Sequence, residues 1–179
     1  VNGERIAQLQ HGVDTTEEVD LHAMQAVTRA DLQPLRDGQA GLYFTSAEHE
    51  LTGTGYYLVT VPTPIDRYQR PDLQPILTAT RLVGRQLEAG ATVVFESTVY
   101  PGLTEDECVP CLEAESGLTV NQDYWVGYSP ERINPGDQQH KLKDIQKVTA
   151  GSTPEAAAAI DQLYQQVIEA GTYQAASIK

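Results

Sequence analysis

Two short stretches carry the residue types that do proton and hydroxyl chemistry. Tyr128-Ser-Pro-Glu-Arg-Ile-Asn-Pro-Gly-Asp137 sets a carboxylate, Glu131, beside a guanidinium, Arg132, with Asn134 two residues on. Glu96-Ser-Thr-Val-Tyr-Pro-Gly102 follows a carboxylate with the hydroxyls of Ser97 and Thr98. Groups of this kind orient a water or a sugar hydroxyl and take up its proton. Each stretch follows an apolar run that reads as a buried strand, Ala91-Thr-Val-Val-Phe95 and Tyr124-Trp-Val-Gly127. The ends of such strands are where a parallel α/β sheet puts its ligand. Pro, Gly, Ser and Thr also make ordinary turns and caps, so neither stretch identifies a site alone. Two of them at matching ends of successive strands point to one.

The elements needed to position these stretches alternate along the chain. Leu73, Ile76, Leu77, Thr80, Val83 and Leu87 recur at helical spacing, behind a cap at Asp72 and before Gly90. Thr104 and Glu107 have the spacing of a capping box for a second helix, which Pro110 would kink or shorten. Thr153-Pro154 starts a third, whose apolar face is Ala156, Ile160, Leu163, Tyr164, Val167 and Ile168. Short strands are expected at Leu42–Thr45, Tyr56–Val61, Thr92–Phe95, Tyr124–Gly127, Lys147–Ala150 and Thr172–Ala175. The first forty residues read as mostly helical, most clearly at Asp20–Ala30. This alternation predicts a doubly wound parallel sheet of the α/β class.

Length and charge exclude several functions. A chain of 179 residues, 40% hydrophobic and 21% charged, supports one sizeable core. A net charge of −13 with no Lys/Arg run opposes binding to nucleic acid. No apolar run approaches the ~20 residues that cross a bilayer, and no leader pattern stands at the start; the expectation is a cytoplasmic protein. Cys108-Val-Pro-Cys111 has the spacing of a dithiol redox pair, but it falls inside the expected second helix, away from the N-terminus that would lower a thiol's pKa. A closed zinc site needs four ligands and no second Cys or His pair completes one. His11, His22, His49 and His140 are dispersed among polar residues.

Val59-Thr-Val-Pro-Thr-Pro-Ile-Asp66, Pro71-Asp-Leu73, Glu96-Ser-Thr-Val-Tyr-Pro-Gly102, Thr104-Glu105, Gly127-Tyr-Ser-Pro-Glu-Arg-Ile-Asn-Pro-Gly-Asp137 and Ser177-Ile-Lys179 together resemble the UDP-glucose/GDP-mannose dehydrogenase family. Within it, the branch that is most similar is the UDP-N-acetyl-hexosamine 6-dehydrogenases of bacterial surface-polysaccharide synthesis. The resemblance runs in order from Val1 to Lys179. It implies NAD as cofactor, a UDP-sugar as substrate and a double oxidation at carbon 6 that yields a uronic acid. It also implies roles: Thr98 for a catalytic water, Glu131 as acid/base, Arg132 and Asn134 on the sugar-nucleotide side with Glu131, and Val61, Pro62, Thr63, Ser97 and Thr98 on the cofactor side.

The same resemblance implies what these residues omit. The family begins with a strand, a Gly-rich turn and a helix, and continues past Ser-Ile-Lys to a catalytic Lys, an Asn and a nucleophilic Cys. Gly53-Thr-Gly55 precedes a strand and lacks a third glycine, so it is no substitute for a dinucleotide loop. The expectation is therefore residues 1–179 as a partial Rossmann-like NAD-binding domain, inactive by itself and binding NAD weakly or not at all. A free-standing segment that binds a sugar nucleotide or protein partner, and a Cys108/Cys111 dithiol oxidoreductase, are the alternatives. With the family's first strand missing, Tyr56–Val61 becomes an apolar edge, which predicts a homodimer through that edge or through exchanged N-terminal helices.

Overall fold

The computed structural model describes residues 2–16, 19–65, 67–68, 70–132 and 142–179. They fall into two compact units, Val1–Leu51 and Thr52–Lys179.

The first unit is built from short helices with polar caps. Helix α1 (Gly3–Gln10) is capped by Asn2, whose side chain accepts from the Arg5 amide, and α2 (Leu21–Val27) by Asp20, which accepts from Ala23. One turn, α3 (Gln33–Arg36), follows. The strand expected at Leu42–Thr45 does not form. Only Leu42 pairs, in a single bridge to Thr28, while the Tyr43 and Thr45 hydroxyls turn instead to the Glu50 carboxylate. Asp14 ties the unit's loop down: it accepts from the Arg5 guanidinium, from the Thr16 hydroxyl at 2.8 Å and from the Thr16 amide at 3.2 Å. The Arg5 guanidinium, and after it Thr16, hold the Asp14 carboxyl well below the usual carboxylate range.

The second unit is a five-stranded sheet in the order β1 (Tyr56–Val59), β2 (Thr92–Phe95), β3 (Trp125–Tyr128), β4 (Lys147–Gly151), β5 (Thr172–Gln174). Strands β1, β2 and β3 are parallel, with Val59, Phe95 and Tyr128 in register. The expectation of a parallel sheet fails at the next strand. Strand β4 runs antiparallel to β3, pairing Gly127 with Gly151 and Tyr128 with Ala150, and β5 runs parallel to β4, so the sheet is mixed. Helix α4 (Gln74–Gln86) joins β1 to β2, α5 (Val109–Ser116) joins β2 to β3, and α6 (Pro154–Gln165) joins β4 to β5. Between β3 and β4 the described residues hold only a 3-10 turn at Leu142–Asp144. A parallel partner needs a crossover that an antiparallel one does not.

Alternation along the strands assigns the two faces. Tyr57 bonds the Gln86 carbonyl of α4 through its hydroxyl at 2.9 Å, and Tyr57 and Val59 are buried on that face. On the other face Val94 joins Ile160, Tyr164 and Ile168 in one buried cluster beneath α6. Glycines let α6 lie close. A Cβ on Gly127 would stand 2.3 Å from the end of the Ile160 side chain, and one on Gly151 would stand 2.3 Å from the Ala157 backbone nitrogen. Thr153 caps α6 as the sequence implies, accepting from the Ala156 amide.

The capping box expected at Thr104 is absent. Thr104 is buried, and Thr104–Cys108 form a π-helical turn in which the Val109 amide reaches back five residues to Thr104. Pro110, early in α5, has no N–H to donate and its ring crowds the carbonyl four residues before it. A widened turn just upstream relieves that conflict. At α4 the helix starts one residue later than read: Leu73 is the cap position, while Asp72 accepts from the Gln74 amide at 2.9 Å.

Two outcomes follow from this packing. Gly151→Ala pushes against backbone and is expected to cost about 1–3 kcal/mol of stability, whereas Gly55→Ala, with nothing within 4 Å, is expected to change little; thermal melts of the two variants compare them. Because the folded Asp14 carboxyl sits below its unfolded value, its stabilisation is complete above about pH 3.9 and is lost as pH falls further towards the folded value. NMR melting of first-unit resonances should show that acid loss in the wild type and a smaller one in Asp14→Asn.

Candidate functional site

The three parallel strands end on one side of the sheet, and antiparallel β4 begins there. The loops beyond those ends are laced by main-chain hydrogen bonds: Glu96 N–H donates to Val59, Ser129 N–H to Phe95 at 3.0 Å, and Glu131 N–H to Glu96 at 3.1 Å. Side chains extend the lacing. The buried Ser97 hydroxyl donates to the Val61 carbonyl at 2.6 Å, joining the ends of β1 and β2, and the buried Ser129 hydroxyl donates to Val148 at 2.8 Å, joining β3 to β4.

The centre of the arrangement is Lys147, the first residue of β4. Its side chain is only 3% exposed, and its Nζ lies 3.4 Å from Glu96 Oε2 and 3.4 Å from Glu131 Oε2. The Tyr164 hydroxyl donates to Glu96 Oε1, and the Tyr164 ring lies beneath the ammonium, 5.6 Å from its centroid. Burial first, then the bond to Glu96, push the Tyr164 phenol far above its ordinary value, so it stays a neutral hydroxyl that can donate to Glu96. Glu96 therefore has both oxygens engaged. Glu131 is placed differently: 41% exposed, it accepts from its neighbour's amide, Arg132 N–H, at 2.6 Å through Oε1. A carboxylate held by a buried ammonium and by its neighbour's amide, and still 41% exposed, is within reach of a hydroxyl or a water.

The other candidates take less central positions. Thr98 is exposed, one residue beyond buried Ser97, and Pro62 is exposed at the end of β1. Thr63 Oγ1 is buried with no hydrogen-bond partner among the described residues. Arg132 is exposed and its guanidinium reaches the Gln146 carbonyl at 3.4 Å. Asn134 lies outside the described residues. A small cavity of about 90 Å³ opens beside the Glu96–Gly102 loop, lined by Val99, Tyr100, Gly102, Thr104, Tyr128 and Lys179.

The paired cysteines offer little reactivity. Cys108 ends the π-helical turn, wholly buried, and burial pushes its thiol up to about 11; burial also raises Cys111. A reactive thiolate needs the opposite shift. Among the described residues no three His, Cys, Asp or Glu side chains converge as a metal site.

Sequence reasoning selected Glu131, Ser97 and Thr98, noted the Glu96 carboxylate without giving it a role, and passed over Lys147 and Tyr164. A lysine opening an apolar strand is a signal in principle, since a buried lysine requires a partner. Its position at the site, however, depends on β4 running antiparallel.

Known proteins resemble this chain in sequence and in fold. The profile of the UDP-glucose/GDP-mannose dehydrogenase family, NAD binding domain, matches residues 1–168. The chain is 50% identical over all 179 residues to the UDP-N-acetyl-D-glucosamine 6-dehydrogenase of Salmonella typhi and 47% identical to that of Pseudomonas aeruginosa. It spans 39% and 40% of those two proteins. Among solved structures, the UDP-D-ManNAc dehydrogenase of Pyrococcus horikoshii superimposes with a TM-score of 0.82 at 27% identity, covering 99% of this chain and 40% of that one.

Tyr164→Phe removes one of the two donors to a carboxylate that is only 14% exposed. A hydrogen bond to a charged group contributes about 1.5–3 kcal/mol, and denaturant unfolding of the variant is expected to show a loss of that size.

Proposed function

The chain belongs to the UDP-glucose/GDP-mannose dehydrogenase family, and from that premise we propose that it forms the cofactor-side part of an NAD-dependent nucleotide-sugar 6-dehydrogenase acting on a UDP-linked N-acetyl-hexosamine. The observation that carries this reading is Glu131, half-exposed at the end of β3 and anchored on buried Lys147, next to the strand ends that hold Ser97 and Val61. NAD accepts the hydride in such a reaction. Glu131 takes the proton of the sugar's carbon-6 hydroxyl, and in a hydrolytic step it takes one from water. Thr98, exposed on the adjacent loop, orients that water. Arg132 and Asn134 would bind the sugar nucleotide.

The residues present fit part of a dinucleotide site. Thr63, with a buried hydroxyl lacking a partner among the described residues, follows Val61, whose carbonyl is fixed by Ser97. That is a polar group held ready for a hydrogen-bonding ligand, and with Pro62, Ser97 and Thr98 it would form one wall of the nicotinamide side. These 179 residues hold no Gly-x-Gly-x-x-Gly turn opening a helix to meet the pyrophosphate.

Three measurements test the reading. The 179-residue polypeptide by itself is expected to show no NAD reduction with UDP-N-acetyl-hexosamines, since a missing nucleophile alone removes on the order of 10⁴–10⁶ in rate; turnover abolished by Glu131→Gln would overturn the expected inactivity. Isothermal titration is expected to give a dissociation constant for NAD weaker than about 10 µM, or roughly 7 kcal/mol. The third concerns assembly. Strand β1 is an edge of the sheet, and Tyr56 and Leu58 on its outward face are 40% and 48% exposed. An apolar edge of this kind pairs with another chain, so a homodimer covering about 800 Å² per partner is expected by light scattering and should be lost in Leu58→Lys.

A further inference from the structure

Behind the loop that carries Ser97 and Thr98 the fold leaves one carboxylate oxygen unsatisfied. Glu105 is the second residue of the π-helical turn, and its Oε2 is buried with no hydrogen-bond partner among the described residues. A buried acceptor in that condition is costly until a donor reaches it. Glu105 lines the cavity of about 90 Å³ beside the loop, together with Tyr128 from the end of β3 and with Ile178 and Lys179 from the segment after β5. That volume is far below the ~300–1,000 Å³ of sites that take small molecules, so the donor must be water or a side chain. Lys179 brings one to the spot. Its Nζ lies 3.6 Å from the point that a Cβ on Gly102 would occupy, and Asp106 Oδ2 lies 2.7 Å from the same point. Gly102, with φ +96°, leaves that space open to both groups.

We propose that Lys179 and Glu105 form a latch, in which the ammonium moves from its place beside Asp106 into the cavity and donates to Glu105 Oε2, and that Lys179 thereby acts as a positioning residue for the Thr98 loop. Three features favour the inward bond. The flexible four-carbon stem of lysine lets a compact ammonium follow either carboxylate. Asp106 is exposed, so water competes for it, and a pair in that setting is weak. Glu105 Oε2 is buried, and a charge-assisted bond satisfies an acceptor that no other described group reaches. The closed latch joins the segment after β5 to the turn that holds the loop, where Leu103 N–H donates to the Tyr100 carbonyl at 3.2 Å and Asp106 N–H to the Gly102 carbonyl at 2.8 Å. The stretch between Ser97 and Glu105 is then fixed at both ends, by the Ser97 hydroxyl on the Val61 carbonyl and by Lys179 on Glu105.

The latch's bearing on catalysis rests on the reading of Thr98 as the residue that orients water, but its test requires neither NAD nor a sugar nucleotide. NMR of the unaltered 179-residue chain is expected to show NOEs between the Lys179 ε-methylene and the Glu105 γ-methylene. Amide exchange at Leu103 and Asp106 is expected to speed by about tenfold in Glu105→Met, by a similar factor in Lys179→Met, and by no more in the double variant, since the two partners of one contact are lost only once. The Thr98 amide resonance is expected to move in Lys179→Met. Exchange that is unchanged or slower in Glu105→Met, as removal of an unpaired buried acceptor gives, would overturn the latch, and so would missing NOEs or factors that multiply in the double variant. A Thr98 resonance that stays in place would overturn the positioning role. Should a variant fail to fold, the NOEs of the unaltered chain decide alone. A failure here would leave the dehydrogenase reading standing, and a failed search for binding or turnover would leave the latch untouched.

Discussion

A buried ammonium must be paired, and most of the site geometry follows from how Lys147 meets that requirement. Its Nζ cannot reach water, so carboxylates must come to it, one from the end of β2 and one from the end of β3. Those ends are already brought together by the parallel ladder and by the hydrogen bond from Glu131 N–H to the Glu96 carbonyl. Lys147 ties the third member, β4, to both. The loops that carry Ser97, Thr98 and Glu131 are thus held by three strands and a shared ion cluster.

The direction of β4 makes this possible. Were β4 parallel to its neighbours, its first residue would lie at the opposite end of the sheet from Glu131, a strand length away. Running antiparallel, it begins where β3 ends. The reversal also places α6 directly over the cluster, because Gly127 and Gly151 leave room for the helix to approach and Tyr164 then reaches Glu96. Two glycines with no side chain to place, and one strand turned against the others, set up the polar chemistry at the strand ends.

How much of this is legible in the sequence depends on which physical signal each feature leaves. Strand β2 reads correctly to the residue, because Thr92–Phe95 is buried throughout and an uninterrupted apolar, β-branched run has few other uses. Helix α6 shows its cap and most of its face, with Ala156, Ile160 and Tyr164 buried, but Val167, read as part of that face, lies past the helix and is exposed. The orientation of β4 leaves no such mark: Lys147-Val-Thr-Ala-Gly151 has the same pattern in either direction, and the choice is made by the connection that precedes it. The π-helical turn at Thr104 was hidden for another reason. A capping-box spacing was present, and what displaced it was the conflict around Pro110 six residues later. At Leu42–Thr45 the composition favours a strand, but only one residue finds a backbone partner. The catalytic candidates were legible because small polar residues after a buried strand are unusual; the lysine that organises them was not, since its meaning is tertiary.

Why that residue is lysine follows from the shape of the two cations. Arginine presents a flat fork that pairs with one carboxylate through two parallel bonds. Placed between Glu96 and Glu131 it would commit to one of them and, being larger, would strain a pocket in which the native side chain is 3% exposed. Lysine offers a compact ammonium with donors in three directions. Here two of those directions meet carboxylates at the same 3.4 Å, and the ring of Tyr164 lies 5.6 Å away on another side. Charge-assisted bonds committed to one partner are commonly nearer ~2.8 Å. Equal separations put the ammonium between the two carboxylates, where it ties the end of β2 to the loop after β3.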